Sequence, residues 1–351
     1  MQTQIGTPVI EVKNIRRSFR SSKKEEGQGF MKGTLGMLFN PQFQTSEALK
    51  GVSFTVESGS FVGLIGANGA GKTTLLKILS GLIPPSSGEA RVLGFDPFKR
   101  SMTFRHQISL VMGQKAQLWW DLPAIDAFDL LRAIYEIPAP LYRERLDALT
   151  ELLDVKRHLH TQIRRLSLGE RMKMELIGAL LHWPSVIFLD EPTIGLDVLA
   201  AHKLREFLRV FNQREKATII LTSHNMDDIE RLCSRVIILK NGEMIYDGNP
   251  EQLIGKGEQR LRVRLFEHAA LDRLSSETGI PVAAISYAVG DGEAPKPGEP
   301  ITESVPVYFN LKKDQIVQVL QALMSKHQIV DMGIEEPSLE TVIHRIYETG
   351  A

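Results

Sequence analysis

The stretch FVGLIGANGAGKTTLLKILSGL, residues 61–82, most narrows what this chain can become. FVGLI (61–65) is a continuous apolar run, the pattern of a strand buried on both faces of a parallel sheet. It leads directly into GANGAGKTT (66–74), and a helical pattern follows. Strand, Gly-rich turn and helix in that order form a phosphate-binding loop in its required setting. The alternative, a purely structural Gly-rich turn, does not need a lysine and two threonines at the helix start. Backbone N–H groups of Gly66, Ala67, Asn68, Gly69, Ala70 and Gly71 are expected to curl around phosphate oxygens, with the helix N-terminus adding partial positive charge. Lys72 can reach the β- and γ-phosphates of a nucleotide. The Thr73 hydroxyl can sit on Mg²⁺, and Thr74 lies near the α-phosphate.

Further continuous apolar runs, ISLVM (108–112), VIFLD (186–190), TIILTS (218–223) and RVIILK (235–240), read as buried strands. Helical patterns at 71–81, 124–153, 168–182, 198–213 and 225–233 alternate with them. The alternation predicts an α/β fold with a mainly parallel sheet. Strands are also expected at 8–14 and 47–56. Between them, segment 20–46 is a polar, Gly-containing insertion, in which FMKGTLGMLF (30–39) has helical spacing. That insertion reads either as a flap packing Phe30, Leu35 and Phe39 on its own domain or as an amphipathic helix, with Lys23, Lys24 and Lys32 nearby, lying on a membrane surface or against the cytoplasmic face of a membrane partner.

The pattern changes near Gly255. Residues 255–351 predict β-α-β-β-α-β and a last helix, SLETVIHRIY, which is the split βαβ, ferredoxin-like α+β arrangement. GDGEAPKPGEPITES (290–304) reads as a hairpin connection. The expected division is therefore 1–254 and 255–351.

VIFLD ends in a second chemical motif, DEPT. Asp190 closes a buried strand, where it can hold Mg²⁺ through water. Glu191 projects at the strand's C-terminal edge, where ligands gather in open α/β sheets. Hydrolysis needs a carboxylate to orient and polarise water, and Glu191 is the candidate.

Between these motifs stands LSLGER (166–171), immediately before a helix. Here the chain resembles the ATP-binding cassette (ABC) transporter ATPases. Their LSGGQ signature matches at Leu166, Ser167 and Gly169 and departs at Leu168 and Glu170. Gln114 matches the Q-loop, Gly195-Leu196-Asp197 the D-loop, and His224 the switch histidine. Phe19 is the candidate aromatic for stacking on adenine. The resemblance covers residues ~8 to 250, six motifs in the family's order. It implies a P-loop NTPase (RecA-like) cassette with an antiparallel β subdomain and a helical subdomain at about 115–180.

The resemblance also implies a chemistry. ATP is bound with Mg²⁺, which Thr73, Gln114 and Asp190 serve; Glu191 orients water, and His224 contacts the γ-phosphate. Ser167 and Gly169 face the γ-phosphate held by another subunit, so two cassettes pair head to tail, most simply as a homodimer. Ser167 and Glu170 also spell an S-x-x-E capping box, which would turn Glu170 away from that phosphate. GQKAQLWWDLP, GERMKMELIGALLH and DEPTIGLDVLA look like a subgroup of bacterial ABC-2-type export ATPases. That likeness implies a peripheral protein at the cytoplasmic face of the inner membrane, driving separate transmembrane permease subunits. One of Trp119 and Trp120 is expected to pack beneath the helical subdomain, and the other to line the groove that receives the permease. His158 and His160, in RHLHT, read as surface residues rather than metal ligands.

The same cassette also powers soluble proteins that act on ribosomes or DNA. Lys+Arg and Asp+Glu are both 42, so the formal charge is zero and leaves no electrostatic footprint for nucleic acid. The longest apolar runs are far shorter than the ~20 residues that span a bilayer. Cys233 is the lone cysteine, so no internal disulfide forms, and in RLCSR it reads as a small buried apolar residue.

Overall fold

The structure is a computed structural model that describes residues 8–22, 43–113, 116–253, 258–267, 269–287 and 305–335, with Leu339, Glu340, Val342, Ile343 and Tyr347. Gln114, the helical spacing at 30–39, the connection 290–304 and most of the last predicted helix lie outside the described residues. The chain divides into two compact units, Met1–Asn249 and Pro250–Ala351.

In the first unit, β1 (Pro8–Ser22) and β2 (Phe43–Glu57) pair antiparallel, and β4 (Ser87–Val92) joins the other side of β1. The strands outrun the sequence expectation: Arg20, Ser21 and Ser22 still pair with Thr45, Gln44 and Phe43, so both flanks of the 20–46 segment belong to the sheet. The main sheet has six strands in the order β5-β6-β7-β3-β8-β9. These are β3 (Phe61–Gly66), β5 (Ile108–Met112), β6 (Val186–Asp190), β7 (Thr218–Thr222), β8 (Arg235–Lys240) and β9 (Glu243–Gly248). All neighbours are parallel except the edge pair β8–β9. The five parallel strands are the continuous apolar runs, and β3 is buried at every position. β3 lies between β7 and β8, so the turn that leaves it has the end of β7 beside it and the end of β6 one strand beyond, on the ligand side of an open α/β sheet.

The helices are α1 (Lys72–Leu79), the single turn α2 (Met102–Arg105), α3 (Ala124–Ile134), α4 (Ala139–Leu152), α5 (Leu168–Leu180), α6 (Val198–Glu215), α7 (Met226–Leu232) and the single turn α8 (Pro250–Leu253). Leu75, Leu76, Ile78 and Leu79 of α1 share one core with Ile10, Val12 and Val56 of the antiparallel sheet and with Val62, Leu64 and Phe188 of the parallel one. The helix that carries the phosphate turn is therefore clamped from both sides.

The helical pattern at 124–153 is corrected: it is two helices, not one. Pro138 disfavours helical backbone at the residue before it, and Pro140 lies in the first turn of α4. The reversal at Glu136, with φ 52°, lets the chain fold back. Phe128 of α3 and Leu149 of α4 are then both buried.

The second unit folds as β10 (Glu258–Leu265), α9 (Leu271–Thr278), β11 (Ile285–Tyr287), β12 (Val307–Lys312), α10 (Ile316–Lys326) and β13 (Ile329–Glu335). Its sheet order, β11-β12-β10-β13, is antiparallel throughout, as a split βαβ arrangement requires. Leu261, Val263 and Phe309 face a core completed by Leu274, Val319 and Leu323 of the helices.

Candidate active site

The turn after β3 is shaped by its glycines. Gly71 has φ 106° and begins α1, and a Cβ there would lie 2.5 Å from the Ala48 carbonyl. Only a glycine permits that approach. Lys72 is buried and donates to the carbonyls of Gly66 (2.6 Å) and Ala67 (3.2 Å). Burial pushes its ammonium pKa down, while Glu191 and Asp190 pull it back up. The ammonium is thus held over the phosphate turn within the field of two carboxylates. Thr73 and Thr74 are half-buried in the first turn of α1.

Asp190 closes β6 opposite that turn. Its carboxylate accepts from the Thr73 hydroxyl at 2.9 Å and from the Thr222 hydroxyl at 2.7 Å. Glu191 follows in left-handed backbone, φ 53°, a conformation that costs on the order of 1–3 kcal/mol in a residue with a Cβ. Its N–H is shared between the Thr222 carbonyl and the Thr222 hydroxyl, both at 3.0 Å. Gly113 packs against it from β5: the Gly113 N–H donates to the Asp190 carbonyl at 2.8 Å, and a Cβ at 113 would stand 2.1 Å from the Glu191 carbonyl. These contacts hold the strained backbone and turn the Glu191 side chain toward His224, whose Nε2 is 2.6 Å from Oε1.

Lys72, Thr73, Asp190, Glu191 and His224 therefore form one cluster at the C-terminal ends of β3, β6 and β7. Ser167 and Gly169 are placed elsewhere. They open α5, and the Gly169 Cα position packs on Ala200 of α6. Leu168 fills the space beside Gly195. The capping box is closed: Glu170 accepts from the Ser167 N–H (2.9 Å) and hydroxyl (2.8 Å), and its own N–H donates to the Ser167 oxygen (3.3 Å). The Ser167 bonds hold the Glu170 carboxyl below its usual range, with a smaller contribution from His158, whose ring nitrogen is 3.1 Å away. Asp197 caps α6 by accepting the Ala200 N–H at 2.8 Å. Phe19 is half-exposed on β1 with the Arg17 guanidinium 4.6 Å from its ring centroid.

The expectation that one tryptophan packs beneath the helical subdomain is corrected. Trp119 and Trp120 are 44% and 49% exposed. The core residue of that stretch is Leu118, which is buried against Gly178 of α5. Arg171 of α5 sits 5.2 Å over the Trp120 ring. Beside Leu118 a cavity of about 220 Å³ opens between Gln117, Tyr135 and Glu175.

Two buried acids escaped the sequence reading. Glu175, on the inner face of α5, accepts the backbone N–H groups of Gln117 (3.0 Å) and Leu118 (3.2 Å), tying those two residues to the signature helix. Burial raises its pKa, and those N–H bonds oppose the rise. Asp228, fully buried in α7, accepts from Thr193 (2.5 Å), Ser223 (2.6 Å) and Arg205 (2.7 Å). The available signal was an acid within an apolar helix face, as in MKMELIGAL; it marks burial without naming the partner.

The family profile described as ABC transporter matches residues 49–194. The chain is 33% identical over 215 residues to the ABC transporter ATP-binding protein NatA of Bacillus subtilis, covering 61% of this chain and 87% of that one. It is 34% identical to Nod factor export ATP-binding protein I of Ralstonia nicotianae, covering 58% and 63%, and 30% identical to methionine import ATP-binding protein MetN 2 of Enterococcus faecalis, covering 67% and 69%. A solved ATP-binding subunit of an ABC transporter superposes with TM-score 0.57 at 27% identity, covering 71% of this chain and 92% of that one. The chain belongs to the ABC transporter family of ATP-binding proteins and is a P-loop ATPase.

Proposed function

We propose that this chain is the ATP-hydrolysing subunit of an export transporter, pairing head to tail with a second copy and driving a separate membrane subunit. One observation carries the reading. Thr73 with Asp190 and Glu191 with His224 join the hydrolytic cluster, whereas Ser167 bonds to Glu170 and Gly169 faces Ala200 at the start of α6. The phosphate site is half a site until another chain supplies a signature. Beside it Val198 and Leu199 are exposed, an apolar edge suited to a partner.

The residues fit a nucleotide with Mg²⁺. The Thr73 hydroxyl and Asp190 carboxylate converge as a hard oxygen pair, and no group of three potential metal-ligating side chains occurs among the described residues. That suits an ion whose remaining ligands are water and phosphate, as Mg²⁺ prefers. When bound, Mg²⁺ neutralises charge on the transferring phosphoryl group. Lys72 binds the phosphates, with its N–H groups already aimed into the turn. Glu191 orients the attacking water and accepts its proton, and His224 holds the Glu191 carboxylate and contacts the γ-phosphate. Gln114 senses the γ-phosphate and Mg²⁺, Phe19 stacks on adenine, and Thr74 and the N–H groups of residues 66–71 complete the cradle. Glu170 stays in its capping box, so Ser167 and Gly169 present N–H groups rather than a carboxylate.

No helix among the described residues is long and apolar enough to cross a membrane. The permease docks beside Trp119 and Trp120, at the cytoplasmic face of the inner membrane, and the helical subdomain at about 115–180 transmits the stroke through Glu175. The likeness to Nod factor export supports the direction. The test is Glu191→Gln. It binds ATP, hydrolyses it very slowly and accumulates as a dimer on size exclusion. Near-normal turnover removes Glu191 from its role. Ribosomes or DNA, in place of a membrane protein, co-purifying in detergent sinks the transport reading.

A further inference from the structure

Among the described residues β13 is an edge strand: β10 occupies one side, and no described strand lies on the other. Among the described residues its outer backbone groups make no hydrogen bond. Its side chains alternate. Val330, Met332 and Ile334 share the helix-covered face, since Met332 and Ile334 register with the buried Val263 and Leu261 of β10. They remain 55%, 49% and 55% exposed. Exposed Val317 and Met324 of α10 enlarge the apolar surface of this unit.

Natural proteins protect such an edge with lysine, proline, a bulge or charge. The strand IVDMGIE has no lysine and no proline, and its one irregularity against β10 falls near its start, between Ile329 and Asp331. Its two charges are taken: Asp331 and Glu335 both pair with Arg262 of β10, at 3.0 and 3.2 Å. From Asp331 to Glu335 the edge is regular and carries no such protection, and an apolar edge of this kind is a template for another strand.

We infer that β13 pairs antiparallel with β13 of a second copy about a two-fold axis at Met332, joining the two C-terminal sheets into one. Charge selects both the partner and the register. Keeping the apolar residues on one face allows only even shifts. A two-fold at Asp331 would set Asp331 against its own copy. A two-fold at Gly333 would set Asp331 against Glu335. Like charges directly opposed destabilise a sheet. At Met332, Val330 meets Ile334, Met332 meets Met332, Asp331 meets Gly333, and Glu335 meets Ile329. The apolar stripe is its own complement and no acids face each other, as an isologous contact demands. This contact needs no nucleotide, so it keeps two cassettes near each other between ATP-driven closures.

A single cysteine tests it. Cys233 is buried and stays silent. Across antiparallel strands, residues on the axis stand about 4.5–5.5 Å apart at Cα, within the range a disulfide spans. Full-length Met332→Cys, mildly oxidised without nucleotide, should run as a covalent dimer on a non-reducing gel. Met324→Cys, on exposed α10, should cross-link at least about tenfold more slowly, because only pairing raises the local thiol concentration. Met332→Lys combined with Ile334→Lys, both at exposed positions, should sediment as monomer without nucleotide while its circular dichroism is unchanged. In the Glu191→Gln background that double variant should still dimerise with ATP. Equal cross-linking of Met332→Cys and Met324→Cys, or a wild-type chain that is monomeric without nucleotide, overturns the inference and leaves the ATP-dependent pairing standing.

Discussion

Asp228→Ala is the sharpest perturbation of the cassette. Asp228 is fully buried, and its two oxygens serve three donors: Thr193 at the end of DEPT, Ser223 just before His224, and Arg205 on α6. Arg205 is itself buried, so removal of the carboxylate strands a guanidinium away from water. Breaking a buried ion pair in this way costs about 3–5 kcal/mol. The two hydroxyl bonds contribute about 1 kcal/mol each, and they overlap with that figure because water following Arg205 inward would reach them too. Against a total stability of about 5–15 kcal/mol, the loss is large. With a urea slope of about 2–3 kcal/mol/M, it appears as a fall of about 1–2 M in the unfolding midpoint. Turnover should fall as well, because Ser223 no longer anchors the residue next to His224, with kcat reduced more than KM for ATP is raised. Replacing the pair with apolar residues, Asp228→Leu with Arg205→Met, should restore most of the stability but not kcat. A midpoint unchanged in Asp228→Ala, or a kcat that returns with the stability in the double variant, refutes the positioning argument.

His182 predicts a pH dependence. Burial pushes its pKa from 6.5 down to about 4, against the Ile108 carbonyl that its ring bonds, and Tyr135 stacks on it at 4.0 Å. The unfolded chain binds a proton that the folded chain refuses, so stability falls as pH drops from about 6.5 toward 4. A His182→Gln chain should lose less urea stability than wild type over that window; parallel curves would show that His182 is not the group responsible. Trp119→Ala and Trp120→Ala should each cost less than about 1 kcal/mol, since both rings are half-exposed and the Arg171 contact is a surface one. Both should leave isolated ATPase intact and weaken permease assembly; unfolding of both variants ends the docking idea.

The parallel strands were legible because burial on both faces writes itself as an uninterrupted apolar run, as in FVGLI and VIFLD. Ser87–Val92 and Glu243–Gly248 escape that search. Ser87–Val92 buries only Ala90 and Val92, and Glu243–Gly248 buries no residue fully, as edge strands of half-covered sheets do. The break between α3 and α4 was written in Pro138 and Pro140, yet the apolar spacing on both sides hides it. The tryptophans misled for a different reason. Ring size argues for burial, but which of Leu118, Trp119 and Trp120 points inward depends on the direction the loop takes when Glu175 captures the N–H groups of Gln117 and Leu118.

The local chemistry of this protein was therefore determined by its sequence. A phosphate turn, a capping box and a strand-end acid each need only neighbouring residues, and each formed where its spacing required. What the tertiary structure alone decided are the meetings across the chain. Asp190 reaches Thr73 and Thr222, Gly113 presses on Glu191, and Asp228 gathers three donors from two loops and a helix. Sequence spacing carries no information about such meetings, because they arise from the order of strands in a sheet, where β3, β6 and β7 become neighbours only after distant segments have packed.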